Sequence, residues 1–240
     1  LAVNINDVVC DGFKAVAVVD YIAVSPGLED AAARVLKGLE RASAEADVVI
    51  LGGETAIMPD VVNGIDVVCT VLAVREAIPR PPSIGDYVVG VESSGPHANG
   101  YSLLRRLFRL DEEICGVPVA ESLLPPVVMY HKIRPLFQEG LIKAAAHITG
   151  GGFTKLKRAL GNLGAELELG QLPCWARAVL KKGVPKDEAY RVFNMGIGIA
   201  LVTDKPADLV RRLEDLGYSA RVIGRVKPEG SIAVDGVRVS

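Results

Sequence analysis

Two of the three histidines stand at the mouths of glycine-rich loops that run into helical sequence. His97 lies in the stretch Ser93-Ser94-Gly95-Pro96-His97-Ala98-Asn99-Gly100. His147 is followed by Ile148, Thr149 and three consecutive glycines, Gly150, Gly151 and Gly152. A helix start presents free backbone N–H groups and the positive end of the helix dipole, which suits phosphate. A histidine at such a mouth can donate a hydrogen bond or move a proton. A triple glycine lets a ligand approach the backbone closely. The spacing matches neither G-x-G-x-x-G nor G-x-x-x-x-G-K-[ST], so no dinucleotide fingerprint or P-loop is read here. Either loop alone reads equally well as a structural turn. Two of them, each led by a histidine, point to an anionic ligand. His131, the third histidine, reads as a structural or surface residue on an amphipathic stretch.

Carboxylates fall at two further strand or loop edges. Asn6 and Asp7 stand together in "NINDVV", and Glu54 and Thr55 follow a strand in "LGGETA". A hard cation such as Mg2+ prefers a few carboxylates plus nucleotide phosphates. Asp7, Glu54 and Asp66 are the candidate ligands, although each alone reads more readily as an N-cap or a turn acid. Asn194 precedes two glycines in an apolar run. It reads as a bulge or close backbone contact, or as part of the ligand site.

Composition bounds the class of function. The chain has 240 residues, half of them apolar, with 27 basic and 29 acidic side chains and a net charge of −2. That is globular and long enough for one large domain or two ordinary ones. No basic block exists to follow a nucleic-acid backbone. No apolar run reaches membrane-spanning length, and no secretory signal is evident. Cys10, Cys69, Cys115 and Cys174 are scattered without a C-x-x-C pair. This pattern favours reduced thiols in a cytoplasmic protein, while spacing alone leaves a disulfide open.

The elements that must hold these residues alternate along the chain. Val16–Val24 reads as a buried strand and is followed by a helix opening at Ser25-Pro26. Its apolar positions, Leu28, Ala31, Ala32, Val35, Leu36, Leu39, Ala42 and Ala46, recur at helical spacing. Strands are expected over 47–51 (ending at Gly52-Gly53), 65–74, 87–92 and 192–202. Residues 76–86, rich in proline, read as the connection between two domains, 1–80 and 81–240. Asn99 is the expected N-cap of the helix after the first histidine loop. A helix follows the second loop, and another, over 206–216, stops at Gly217. Asp235-Gly236 fits a two-residue hairpin turn. The class is mixed α/β.

Taken in order, "VNINDVVCDGFKAVAVVDYIA", "LGGETAIMPDV", "SSGPHANGYSLLRRL", "AHITGGGFTKLKRAL" and "YRVFNMGIGIALV" resemble the aminoimidazole ribonucleotide synthetases, or phosphoribosylformylglycinamidine cyclo-ligases. The resemblance implies a two-domain mixed α/β fold of that type, with an N-terminal ATP-binding and dimerisation domain. It implies ATP- and Mg2+-dependent closure of formylglycinamidine ribonucleotide to an imidazole in purine synthesis, in a cytoplasmic homodimer. Asn6, Asp7, Glu54 and Thr55 would lie on the nucleotide side, with Asp7, Glu54 and Asp66 on the metal. Ser94, Gly95, Asn99, Thr149, Gly150, Gly151, Gly152 and Asn194 would lie around the substrate. His97, with His147 second, would handle protons or an oxyanion. The family's further N-terminal segment, with its glycine-rich phosphate loop, has no counterpart ahead of Leu1. The alternatives are a related ATP-dependent kinase or dehydratase, and an inactive binding or dimerisation module.

Overall fold

A computed structural model describes residues 1–240, which form a three-stranded sheet, a seven-stranded sheet and a short two-stranded pair. Helix α1 (Ala2–Cys10) leads into β1 (Phe13–Val24), α2 (Glu29–Ala46), β2 (Val49–Ile57) and β3 (Ile65–Arg75). These strands form a three-stranded sheet in the order β2-β1-β3, with β1 parallel to β2 and antiparallel to β3. A parallel pair needs a crossover, and α2 supplies it. Acidic Glu29 and Asp30 occupy the first turn of α2, and Asp47 ends it in the left-handed conformation at φ 55.

β2 does not stop at Gly52-Gly53, as the sequence suggested. A register shift sets Val18 opposite Ile50 and Val19 opposite Gly52, and pairing with β1 then continues to Ile57. Glu54 and Thr55 are therefore inside the strand, not after it. The reason is long-range: the partner strand keeps offering ladder bonds past the glycines.

The second sheet has seven strands in the order β12-β11-β8-β10-β4-β9-β7. They are β4 (Tyr87–Glu92), β7 (Ala144–His147), β8 (Gly164–Leu167), β9 (Ile197–Thr203), β10 (Ala220–Lys227), β11 (Ile232–Val234) and β12 (Val237–Arg238). The short pair β5 (Glu113–Ile114) and β6 (Val117–Pro118) stands apart. Between the strands run α3 (Tyr101–Leu107), α4 (Val119–Leu123), α5 (Arg134–Gln138), α6 (Leu156–Leu160), α7 (Cys174–Lys181), α8 (Lys186–Val192) and α9 (Pro206–Asp215).

Two cores flank this sheet. On one side Leu104, Phe153, Leu156, Trp175, Tyr190 and Phe193 pack against strand residues such as Val88, Ala200 and Val202. On the other, α1 contributes Ile5 and Val9 to a core with Val89, Val91, Tyr130, Leu136, Ile199, Leu201 and Leu209. The same core takes Val18 from β1, so α1 lies between the two sheets and fixes one against the other. Alternate residues of β4 and β9 enter opposite cores, as the period of a strand requires.

Three further sequence expectations change. The strand expected over 192–202 begins only at Ile197, because Met195 (φ 50) and Gly196 (φ 99) turn the chain out of α8. The "NINDVV" stretch is helical, so Asn6 and Asp7 project from α1 and not from a strand edge. Cys115 and Cys174 form a disulfide across 59 residues, leaving Cys10 and Cys69 free. The hairpin at Asp235-Gly236 is present: Val234 pairs with Val237, and both turn residues have positive φ, as a type I′ turn demands.

Candidate functional site

The two histidine loops emerge from the same edge of the large sheet. β4 and β7 are both antiparallel to β9, so they run in one direction and end together. The loop after β4 carries His97, and β7 itself ends in His147. Each histidine is nearly buried, at 4% and 5% exposure.

His97 sits in a left-handed backbone conformation, φ 58, which is uncommon for a residue other than glycine. Burial, reinforced by the nearby charge of His147, pushes its pKa down from 6.5 to about 4. The ring is therefore neutral at pH 7. Nε2 accepts the Ser94 backbone N–H at 3.4 Å, so the proton resides on Nδ1, which has no partner. Gly198 lies beneath the ring: a Cβ there would collide with the Tyr130 hydroxyl and crowd the His97 ring. Buried donors without partners are uncommon, and this one is free for a ligand's oxygen.

Asn99 is not the N-cap of α3. Gly100 takes that position with φ 77, because the Phe193 ring fills the space where a Cβ would stand. The Asn99 amide nitrogen is instead buried and unpaired, a second free donor. Its Oδ1 faces Gly150, where a Cβ would be at 3.4 Å. The two loops therefore meet at Asn99 and the triple glycine. Asn194 holds the first loop in place. Its Nδ2 donates to the Gly95 carbonyl at 2.9 Å, and its Oδ1 accepts from Gly196 N at 2.9 Å. Ser93 Oγ also reaches Asn194 Oδ1, at 3.3 Å. Ser94 Oγ donates to the Pro126 carbonyl at 2.6 Å, and Pro125 packs over Gly95. Asn194, Ser94 and Gly95 thus shape the loop.

His147 Nδ1 donates to Asp7 Oδ1 at 2.8 Å. The carboxylate is exposed while the imidazole is not. On the other edge of the ring Nε2 lies 3.5 Å from Asn6 Nδ2. Asn6 itself is fully buried and committed: Nδ2 donates to the Val128 carbonyl and Oδ1 accepts from Tyr130 N, both at 2.8 Å. Expected on the nucleotide side, it cannot reach a nucleotide. It pins α1 to the segment before Tyr130.

Asp7 and His147 line a cleft of about 430 Å3 together with Thr149, Lys155 and Arg158. Arg158 pairs with Asp11 at 2.5 Å. Cys10 is part of the wall. Burial and the carboxylates of Asp7 and Asp11 push its thiol far up, so it is not a nucleophile. Gly152 (φ 53) has no room for a side chain, since a Cβ would strike the Tyr190 carbonyl. The chain then makes a 3-10 turn over Gly152–Lys155 before α6, which is a shorter helix than expected.

The carboxylates expected on a metal do not assemble. Glu54 pairs with Tyr21 on one flank of β1, and Asp66 pairs with Ala23 on the other. Both are exposed, as is Thr55. No group of three or more metal-binding side chains gathers anywhere in the structure. Mg2+ prefers near-octahedral oxygen ligation, which these three residues do not supply.

Two residues lining the cleft, Lys155 and Arg158, are not singled out by the sequence. Lys155 and Arg158 looked like the polar face of a helix, and only the meeting of β7, α1 and α6 turns them toward the cleft.

Comparison with known proteins agrees with this architecture. The N-terminal domain of the AIR synthase related proteins matches residues 1–74, and their C-terminal domain matches residues 83–237. The chain is 40% identical over 239 residues to the phosphoribosylformylglycinamidine cyclo-ligase of Saccharolobus solfataricus, covering 98% of this chain and 72% of that protein. The protein of the same name from Pyrococcus horikoshii is 38% identical over 239 residues, covering 95% and 71%. Among solved structures, the hydrogenase maturation protein HypE of E. coli superposes with a TM-score of 0.70 at 19% identity, covering 98% of this chain and 75% of that one. Thiamine-monophosphate kinase from Stenotrophomonas maltophilia K279a gives 0.70 at 19%, covering 98% and 76%. These two likenesses establish the shared fold.

Proposed function

The chain belongs to the AIR synthase related family, among the phosphoribosylformylglycinamidine cyclo-ligases, and from that premise we propose that it closes the imidazole ring of aminoimidazole ribonucleotide at the expense of ATP. ATP transfers its γ-phosphoryl group to the amide oxygen of formylglycinamidine ribonucleotide. A nitrogen of the same substrate attacks the activated carbon, the C–O bond to phosphate breaks, and the ring closes with loss of a proton. The products are the aminoimidazole, ADP and phosphate.

The observation that carries this reading is the pair of unpartnered donors, His97 Nδ1 and Asn99 Nδ2, beside the glycine loop of His147. Such donors stabilise charge that develops on an oxygen, here the amide oxygen as it is phosphorylated and leaves. The Asp7–His147 pair can accept the proton lost at closure, with the Asp7 carboxylate fixing the orientation and tautomer of the ring. Lys155, Arg158 and Thr149 give the adjoining cleft the donors a polyphosphate needs. ATP is a substrate in this scheme. Asp7, Glu54 and Asp66 do not form a metal site, so no step is assigned to an ion held by them.

The open face of the small sheet exposes Val49, Val68, Leu72 and Val74. An apolar face of this kind supports a homodimer joined through the N-terminal sheets. No helix is long and apolar enough to cross a membrane. The test of function is the purified chain with formylglycinamidine ribonucleotide, ATP and Mg2+. ADP and the aminoimidazole product should form in equal amounts. ATP consumption only with a different small molecule, or no product at saturating substrate, overturns the reading.

A further inference from the structure

A second pocket, of about 570 Å3, opens at the same sheet edge on the far side of the His97 loop. Glu92, Ser93, Pro173, Gly196, Arg177 and Arg221 line it.

The two arginines are held but not consumed. Arg221 donates to Glu92 Oε1 at 2.6 Å and to the Leu169 carbonyl at 3.1 Å. Arg177 donates only to the Leu172 carbonyl, at 3.3 Å. A guanidinium carries five N–H donors in a rigid plane, so each keeps donors for an anion. Glu92 is offset by Arg221, which leaves the charge of Arg177 unbalanced. The volume is too large for a bare tetrahedral anion and suits a sugar bearing one.

The pocket also connects to His97. Ser93 and His97 belong to one loop, and four residues of chain reach at most about 14 Å. Ser93 N donates to the Gly196 carbonyl at 2.9 Å. The Glu92 carbonyl accepts the Tyr130 hydroxyl at 2.7 Å, and the Tyr130 ring lies 6.3 Å from that of His97. The arginine pocket and the free donors of His97 and Asn99 are therefore joined through one loop.

We propose that this pocket takes the sugar-phosphate end of the nucleotide substrate, with Arg177 and Arg221 as the phosphate-binding residues. The proposal rests on the cyclo-ligase reading and adds the seat of the group that does not react.

The test is calorimetric titration of the 240-residue chain with ribose 5-phosphate and, separately, with inorganic phosphate. Ribose 5-phosphate should bind saturably. Arg177→Ala should weaken it at least about tenfold, the loss of one charge-assisted contact, and Arg177→Lys should fall between. Arg177 is the informative position because Arg221 also braces Glu92 and the end of β8. Far-ultraviolet circular dichroism confirms that the variants fold. No binding by the wild-type chain, or unchanged binding by Arg177→Ala, overturns the assignment. Equal affinity for inorganic phosphate also overturns it, since the sugar would then contribute nothing. The cyclo-ligase reading has its own readout. If turnover is seen and depends on His97 but not on Arg177, the pocket assignment fails alone.

Discussion

The Asp7 carboxylate accepts a 2.8 Å hydrogen bond from His147 Nδ1, although 140 residues separate the two. The bond crosses from the helix that opens the chain to the edge strand of the large sheet. It is possible because Asn6, the preceding residue, is anchored to Val128 and Tyr130 and sets the rotation of α1.

Asp7→Asn keeps the shape of that pair and removes the carboxylate that accepts the His147 Nδ1–H and fixes the ring. Turnover should fall by roughly 10²-fold, the usual worth of a positioned acid–base partner. Melting temperature should move little, because Asp7 is exposed. Steady-state kinetics beside a thermal melt separates the two effects. Near-wild-type turnover removes Asp7 from the proton path.

His97 makes stability depend on pH. Its folded pKa, about 4, is below the unfolded 6.5, so the unfolded chain binds the extra proton first. Its contribution is therefore fully present above pH 6.5 and is lost as pH falls toward 4, by about 3 kcal/mol in all. Urea unfolding across that window should show a shallower decline for His97→Gln. The same substitution removes a free donor from the site and should cut turnover far more than it changes stability at pH 7. Parallel declines in the two proteins would mean that His97 does not titrate as a buried neutral ring.

Lys143 and Asp86 form a buried ion pair at 2.8 Å, with Asp86 also accepting the Ser83 amide at 2.7 Å. The pair ties the connecting segment to the start of β7. Asp86→Ala leaves a buried ammonium with the Ser83 hydroxyl at 3.5 Å and the more exposed Asp204 at 3.6 Å. Breaking a buried pair from one side costs about 3–5 kcal/mol. Denaturant titration should show a loss of that size, and a loss near zero would mean that Lys143 finds water instead.

The Cys115–Cys174 disulfide closes a loop of 59 residues. It fastens the β5–β6 turn to the start of α7, beside the arginine pocket. Chain-entropy reasoning assigns such a loop about 4 kcal/mol. Cys115→Ser, or reduction with a thiol, should lower the melting temperature, and the variant should not respond further to reductant. An unchanged melting temperature in both cases would show that the crosslink adds no stability.

Much of the molecule was legible from residue order alone. The alternation of strands and helices, the crossover helix α2, the hairpin at Asp235-Gly236 and the two histidine loops follow from periodicity and turn chemistry, which act over a few residues. The resemblance that placed the chain in its family rests on those same local motifs, and the family comparison agrees with it.

Only the tertiary structure decided how side chains were used. Asn6 was read as a nucleotide contact but is consumed by backbone groups more than 120 positions away, with a separation of 122 to Val128. Gly100, not Asn99, starts α3, because the ring of Phe193 arrives from another element. Glu54 lies within a strand because β1 continues past its glycines. Cys115 finds Cys174, and Asp7 finds His147, only when distant elements pack. Local propensity sets which segments become strands and helices. Which buried polar group is satisfied, and which is left free for a ligand, depends on partners that the linear sequence keeps apart.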